Sequence, residues 1–526
     1  SQSINDAGYA TFYGTNKTRT PAVFVGSNDG MLHAFNGNTG DELFAYIPSW
    51  LGSKLSALTN PTYNNSHQSY VDGTPAVAEA VVGTDWKTVL VSGSGGGGRG
   101  VFALDVTDPA TFTKSKVMWE FTNADDADLG FVTGRPQILK MRTSAAGATA
   151  TYKWFAVFGS GVNNYVTDSA GVFSTTGKPA LFILDLSKPV GTAWTLGTNY
   201  YKVSLPINST LSAAKATGLI NFRAALGFAR EVTQIFMGDL HGNLWKLDFS
   251  QQGTSDWNIG KLSYFLQGTS NDPIPMFIAK DSSGNVQPIS VAPSLVYGPI
   301  ADSTYVLFGT GKYLETGDRT STATQSFYMV YDNASTGLDS TPTSSAISAI
   351  SDRRRLKAGT ANAATGVVTV PAFTIGRATT NTDTDNPRSG WYFDFPNSRE
   401  RQISNATVFG EKIIMGSLIP GITSTNACSA SGGGGNQYTL DILGGNGTSV
   451  GSSVGILGEP LVAEISSATT YTASDSTGRR LKTITSQIFQ QGSDGVAASS
   501  TKTRTVTVGR LTWRQINNYQ DLKNAP

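Results

Sequence analysis

The stretch QIFMGDLHGNLWKLDF, residues 234–249, decides the fold. One apolar run leads into Gly238 and Asp239, a second leads out to Asp248, and Gly242 lies between them. Two such runs joined by a short Gly-bearing segment read as a β-hairpin, because glycine adopts the positive φ of hairpin turns without steric cost. Nothing in the stretch is arranged for catalysis, so Asp239 reads as a turn residue.

The same pattern recurs along the chain. VFVGSNDGMLHAFN (23–36) matches IFMGDLHGNLWKLD (235–248) position by position, with Gly26 on Gly238 and Gly30 on Gly242. Looser copies follow at 89–105, at 156–161 with 181–185, at 306–311 with 327–332, and at 413–417 with 437–441; a weak one spans 486–495. A short apolar segment that starts near a proline precedes several copies: TPAVAEAV (74–81), RPQILKM (135–141), APSLVYG (292–298) and EPLVAEI (459–465). Proline is tolerated at the first residue of a strand, where its missing donor does no harm. Closing strands follow, as in ELFAYIP (42–48), KVMWEFT (116–122) and WYFDFP (391–396). The unit is four short strands, and about seven such units predict an all-β modified β-propeller, since radial repetition buries each sheet against its neighbours. Long insertions at 50–72, 162–178, 333–390 and 420–436 are expected to form the working surface.

Composition agrees. The 526 residues carry 39 basic and 38 acidic side chains for a net charge of +1, so no field steers the chain onto nucleic acid. Glycine is abundant, with 58 residues, as a turn-rich β protein requires. The lone cysteine, Cys428, has no internal disulfide partner, and no run of 18 apolar residues predicts a transmembrane segment.

Motifs for chemistry are sparse. His33, His67 and His241 lack a second His or Cys at zinc-ligand spacing. GSGGGG (93–98) is followed by the strand GVFALD, which offers no helix N-terminus for a pyrophosphate. Two acidic loops, one with Asp125, Asp126 and Asp128 and the other with Asp383 and Asp385, could offer oxygen ligands to calcium, against the simpler reading of solvated turns. AFNGNTGDELFAYIP (34–48) resembles repeats of pyrroloquinoline-quinone dehydrogenases, which makes a quinoprotein-type oxidoreductase the alternative function. One cysteine cannot supply the adjacent pair that grips the quinone in many of those enzymes.

TPAVFVGSNDGMLHAFNGNTGDELFAYIP (20–48), RGVFALDVTDP (99–109), DADLGF (126–131), FMGDLHGNLWKLD (236–248), GTGKY (309–313), GWYFDFP (390–396) and ACS followed by YTLD (427–441) together resemble the C-terminal propeller domain of the PilC/PilY family of type IV pilus tip proteins. The likeness spans nearly the whole chain. It implies a single propeller over 1–526, the C-terminal domain of a longer protein whose variable N-terminal region would precede Ser1. It implies a non-catalytic, extracellular protein at the pilus tip, with minor pilins and host-cell or abiotic surfaces as partners. The implied roles are pilus biogenesis against retraction, adhesion and twitching motility.

Several family members hold calcium in a loop ahead of the strand leading to the G-D-L-x-G-N-L-W motif. Here that slot reads ALGFAREVT (225–233), placing Ala225, Gly227, Ala229 and Thr233 where carboxylates or amides are expected. The resemblance therefore implies that this member has lost the site and needs no cofactor. The tail TVTVGRLTW (505–513) alternates strictly; it is expected either to close the ring in the first blade or to offer a partner a free edge through Val506, Val508, Leu511 and Trp513.

Overall fold

The computed structural model describes residues 6–508, except 268, 300–302, 333–352, 377, 379, 383, 422–432, 468–472 and 475–479. Among the described residues seven antiparallel-based sheets succeed one another along the chain and form the blades of a β-propeller, beside a two-stranded ribbon of Leu266–Gln267 and Asp272–Pro273. The second blade shows the plan: Ala76–Val82 is innermost, then Asp85–Gly93, Gly100–Asp105 and Val117–Thr122. The third repeats it with Gln137–Arg142, Tyr152–Gly159, Ala180–Asp185 and Tyr200–Ser204. The proline-led segments of the sequence are thus the inner strands, and the glycine-bearing hairpins are the second and third.

Middle strands such as Gly100–Asp105 and Ala180–Asp185 are buried along their whole length. Both of their faces meet a neighbouring blade, which is why they read as continuous apolar runs rather than alternating ones. Phe121, Phe158 and Phe182 fill the space between the second and third blades. Phe155, Met237 and Trp245 fill it between the third and fourth, and Phe236, Phe308 and Tyr328 between the fourth and fifth. Further clusters join the fifth to the sixth and the first to the second.

The turn in the opening stretch is closed by Asp239. Its buried carboxylate accepts the backbone N–H of His241 at 2.9 Å and of Asn243 at 3.0 Å, the Asn243 amide at 2.9 Å and the Trp245 indole N–H at 3.0 Å. Gly242 has φ +79°, and a Cβ there would also lie 2.7 Å from the Gln287 carbonyl, so the position admits only glycine. The Asp or Asn that ends the third strand of five of the blades has a related task. Asn36, Asp105, Asp185, Asp248 and Asp441 each accept the N–H two residues on, an Asx turn that aims the chain at the outer strand.

Two insertions differ from the expectation of free surface loops. Residues 50–72 include the 3-10 segment Ser49–Thr59, whose Leu51, Leu55 and Leu58 pack into the core between the first two blades. Residues 162–178 are pinned by the Arg99 guanidinium, which donates to the carbonyls of Asn163 at 2.9 Å and Val166 at 2.5 Å. The 333–390 insertion, where described, lays Lys357–Ala358 beside the fifth blade and extends the sixth with Thr360–Ala361 and Val367–Thr369. Cys428 and residues 422–432 lie outside the described residues. The glycine run at 95–97 serves close packing: a Cβ on Gly97 would lie 1.6 Å from the Tyr70 carbonyl.

In the first blade His33 sits between two carboxylates, its Nδ1 2.6 Å from Glu42 and its Nε2 2.8 Å from Asp29. The bond to Glu42 leads in holding the imidazole above its ordinary value, against the opposing effect of burial, with Asp29 adding to the rise. A raised folded-state pKa means that this contribution to stability is present below the unfolded value and is lost as pH rises through the folded one. A proton NMR titration should place His33 above the reference of about 6.5, and Glu42→Gln should bring it down; no response to that change would remove the ion pair from the account.

Candidate functional site: the central channel and its rim

Inner strands converge on a central channel of about 550 Å³. Arg135, Ala292, Asn405 and Glu459, each two residues ahead of an inner strand, and Asn221, within the inner strand Gly218–Leu226, line it in the third to seventh blades. These positions hook each blade to the next. Asn221 accepts the Arg135 N–H at 3.3 Å and donates to the Ser290 carbonyl at 2.9 Å. Asn405 accepts the Ala292 N–H at 2.8 Å and donates to Glu459 at 3.1 Å. The series runs from the third blade to the seventh.

Charge in the channel is mixed. Arg19 donates to Thr88 at 2.6 Å and lies 3.6 Å from Glu79. Burial first, and the neighbouring Arg135 guanidinium as well, lower the Arg223 pKa, while Glu459 acts the other way. Such a wall suits polar main chain and side chains. Among the described residues no group of three His, Cys, Asp or Glu is placed to hold a metal ion.

The slot of 225–233 forms the tip of the hairpin between Gly218–Leu226 and Val232–Asp239. Thr233 Oγ1 donates to the Ala225 carbonyl at 3.2 Å, and Gly227 N–H to the Glu231 carbonyl at 2.7 Å. The Lys140 ammonium donates to the Ala229 carbonyl at 3.1 Å and to Asp6 at 2.6 Å. Glu231 supplies one carboxylate, with its Oε2 buried and without a hydrogen-bond partner. One carboxylate beside a fixed ammonium does not fit a hard dication, which takes six to eight oxygens with several charged among them. Sequence reasoning missed Lys140 and Asp6, which lie far from the slot in the chain.

The acidic loop of Asp125, Asp126 and Asp128 is neither a solvated turn nor a calcium cradle. Lys202 places its ammonium 2.9 Å from Asp126 and 2.7 Å from Asp128, and the Tyr200 hydroxyl donates to Asp126 at 3.0 Å. Asp125 turns away to accept the Thr122 N–H at 2.8 Å. Burial lowers the Lys202 pKa, but the hydrogen bonds to Asp128 and Asp126 outweigh it and hold the group above its usual value. Asp385 accepts the Thr380 hydroxyl, and Asp383 lies outside the described residues.

The tail expectation also changes. Val506 and Val508 belong to a longer strand, Ala497–Val508, that pairs along its length with Arg480–Gln491 in the seventh blade. Residues 505–508 therefore do not enter the first blade, and among the described residues their strand pairs along one edge only. Leu511 and Trp513 lie outside the described residues. Of the other histidines, His241 is buried at the turn closed by Asp239, and His67 packs its ring 5.6 Å from that of Tyr63.

Comparison with known proteins agrees with this architecture. The family model described as the PilY1 beta-propeller domain matches residues 1–350. The type IV pilus biogenesis factor PilY1 of Pseudomonas aeruginosa is 33% identical over 468 residues, covering 85% of this chain and 37% of that protein. A PilY1 homolog of Xylella fastidiosa is 32% identical over 452 residues, covering 83% and 27%. The chain thus spans about a third of the length of these curated relatives. The crystal structure of the P. aeruginosa PilY1 C-terminal domain superposes with a TM-score of 0.63 at 25% identity, covering 94% of this chain and 95% of that one. With the propeller and the hairpin motif both in place, the chain belongs to the PilY1 family.

Proposed function

We propose that this chain is the propeller of a type IV pilus biogenesis factor that works outside the cell, at the pilus tip. Minor pilins hold it there, and its loops meet host-cell or abiotic surfaces. It acts mechanically and without catalysis, opposing pilus retraction and through this supporting adhesion and twitching motility. Residues 1–526 work as one propeller. The observation that supports the reading best is the likeness to the PilY1 C-terminal domain along nearly the whole chain.

The test is a count of surface pili after deletion of the full-length gene, in retraction-competent and retraction-deficient backgrounds. Pili should vanish only where retraction operates. An unchanged number in both backgrounds would sink the assignment.

The propeller also lacks the family's calcium site, since its hairpin tip offers Ala225, Gly227, Ala229 and Thr233 and carries an ammonium on the Ala229 carbonyl. Isothermal titration of the chain with calcium should give no micromolar site that depends on this tip. Micromolar binding abolished by changes confined to residues 225–233 would overturn the claim.

A further inference from the structure

The central channel continues beyond Arg223. The inner strand of the fourth blade, Gly218–Leu226, carries its wall outward to the hairpin tip. Asn221 and Arg223 line the cavity of about 550 Å³, Arg223 and Ala225 a second of about 390 Å³, and Leu226 and Phe228 a third of about 500 Å³. Arg223 and Glu459 belong to the walls of both the first and the second, and Ala224 and Tyr297 to those of both the second and the third. The three therefore form one passage. Asn221 to Leu226 alone, as extended strand, covers roughly 20 Å of it.

The charges along this passage do not balance. Four arginines line it, Arg19, Arg135, Arg223 and Arg230, against two glutamates, Glu79 and Glu459. Glu79 lies 3.6 Å from Arg19, and Glu459 accepts the Asn405 amide while facing Arg223. Arg223 donates its Nε–H to the Pro293 carbonyl at 3.2 Å, and among the described residues its terminal nitrogens have no protein partner. Arg135 and Arg230 are exposed, and among the described residues neither guanidinium has a hydrogen-bond or ion-pair partner. At the outer mouth Phe228 is wholly exposed and Tyr297 is 73% exposed. Two large aromatic rings left in water beside unpaired cations are the mark of a contact surface rather than of a folded core.

We propose that this passage takes an extended acidic peptide of a partner protein, its carboxylates on Arg135, Arg223 and Arg230 and an apolar side chain on Phe228 and Tyr297. Charge complementarity selects an anion. Because the guanidiniums are spread along the passage, they match charges repeated along a chain better than one compact anion. The rest of the wall selects a peptide among such chains. Ser294–Tyr297 and Thr407–Phe409 line the passage, and each is an inner strand paired on one side only among the described residues. Their free main-chain N–H and C=O groups match those of an extended polypeptide.

Fluorescence anisotropy of labelled Glu-Glu-Phe-Glu-Glu with the 526-residue chain tests this. The peptide should bind with an affinity that falls as salt is raised, and Gln-Gln-Phe-Gln-Gln should bind about tenfold more weakly or worse. Arg135→Gln combined with Arg230→Gln alters two exposed side chains that hold no other group in place. The pair should weaken the acidic peptide by about tenfold and leave the unfolding midpoint where it was. Equal affinity for the two peptides, full affinity in the double variant, or no binding of the acidic peptide at millimolar concentration overturns the proposal. If a heparin hexasaccharide binds and the peptide does not, the passage belongs to a polysaccharide and the proposal fails. A benzophenone in place of the peptide's phenylalanine gives the location on the unaltered chain. Crosslinks at residues 226–230 or at Tyr297 support the passage, and crosslinks confined to other residues refute it.

Discussion

Replacing Asp239 by alanine is expected to cost on the order of 4 kcal/mol of folding stability, among the largest losses a single side chain here can produce. The carboxylate is 2% exposed and satisfies two backbone N–H groups, one side-chain amide and the indole of a Trp that is itself 2% exposed. Alanine leaves all of these without an acceptor in a place water cannot reach, and each such group costs about 1–3 kcal/mol, though not additively. Asparagine keeps one oxygen but turns an N–H₂ toward other donors, so it should fall between wild type and alanine. Asp248→Ala is the control. That side chain makes the ordinary Asx turn, accepting from Ser250 N–H at 2.8 Å and Oγ at 2.6 Å on a half-buried surface, and its loss should cost about 1 kcal/mol. The shift in chemical-denaturation midpoint, read by fluorescence, ranks the three. If Asp239→Ala moves it no further than Asp248→Ala, the turn does not depend on the carboxylate.

That pair of aspartates also shows what a linear reading reaches. Both are local devices: the bonds of Asp239 end within six residues of it, and those of Asp248 within two. Local hydrogen bonding leaves a repeated pattern of letters, so the hairpins and the inner and closing strands could be found from spacing alone. The core-packed insertion was legible in part, since Leu51, Leu55 and Leu58 recur at helical intervals. What joins one blade to another leaves no such pattern. Lys202 neutralises Asp126 from 76 positions away, and Lys140 reaches the Ala229 carbonyl across 89. A reading confined to the loop of Asp125, Asp126 and Asp128 therefore offered calcium or solvent, and the actual partner is an ammonium on a closing strand. The channel was hidden for a different reason. Three of its four hooks join a side chain in one blade to a backbone group in another, so Arg135, Asn221, Ala292, Asn405 and Glu459 hold equivalent places without being chemically alike.

Breaking the ion pair between Lys246 and Asp332 should be as damaging, by a different route. The two side chains are wholly buried, 2.6 Å apart, and tie the third strand of the fourth blade to the corresponding strand of the fifth. The ammonium also lies 3.6 Å from the centre of the Tyr264 ring. Asp332→Leu leaves that cation buried without its carboxylate, and Lys246→Met takes the ammonium away from a wholly buried carboxylate, so each single change should cost about 3–5 kcal/mol. The double variant removes both charges and keeps apolar volume between Phe236, Leu244 and Val330, and should recover most of the loss. A double-mutant cycle on unfolding midpoints gives the coupling; additive losses would mean that the two charges are stabilised independently of each other. Recovery would carry a further meaning. A pair that apolar residues replace at little cost is not what makes these blades stable, and its use is then to fix which strand of one blade faces which strand of the next. Apolar faces as uniform as those of Ala180–Asp185 or Thr304–Gly309 cannot specify that by themselves, because a slide along the seam exchanges one aliphatic contact for another, whereas a buried charge tolerates a single partner position.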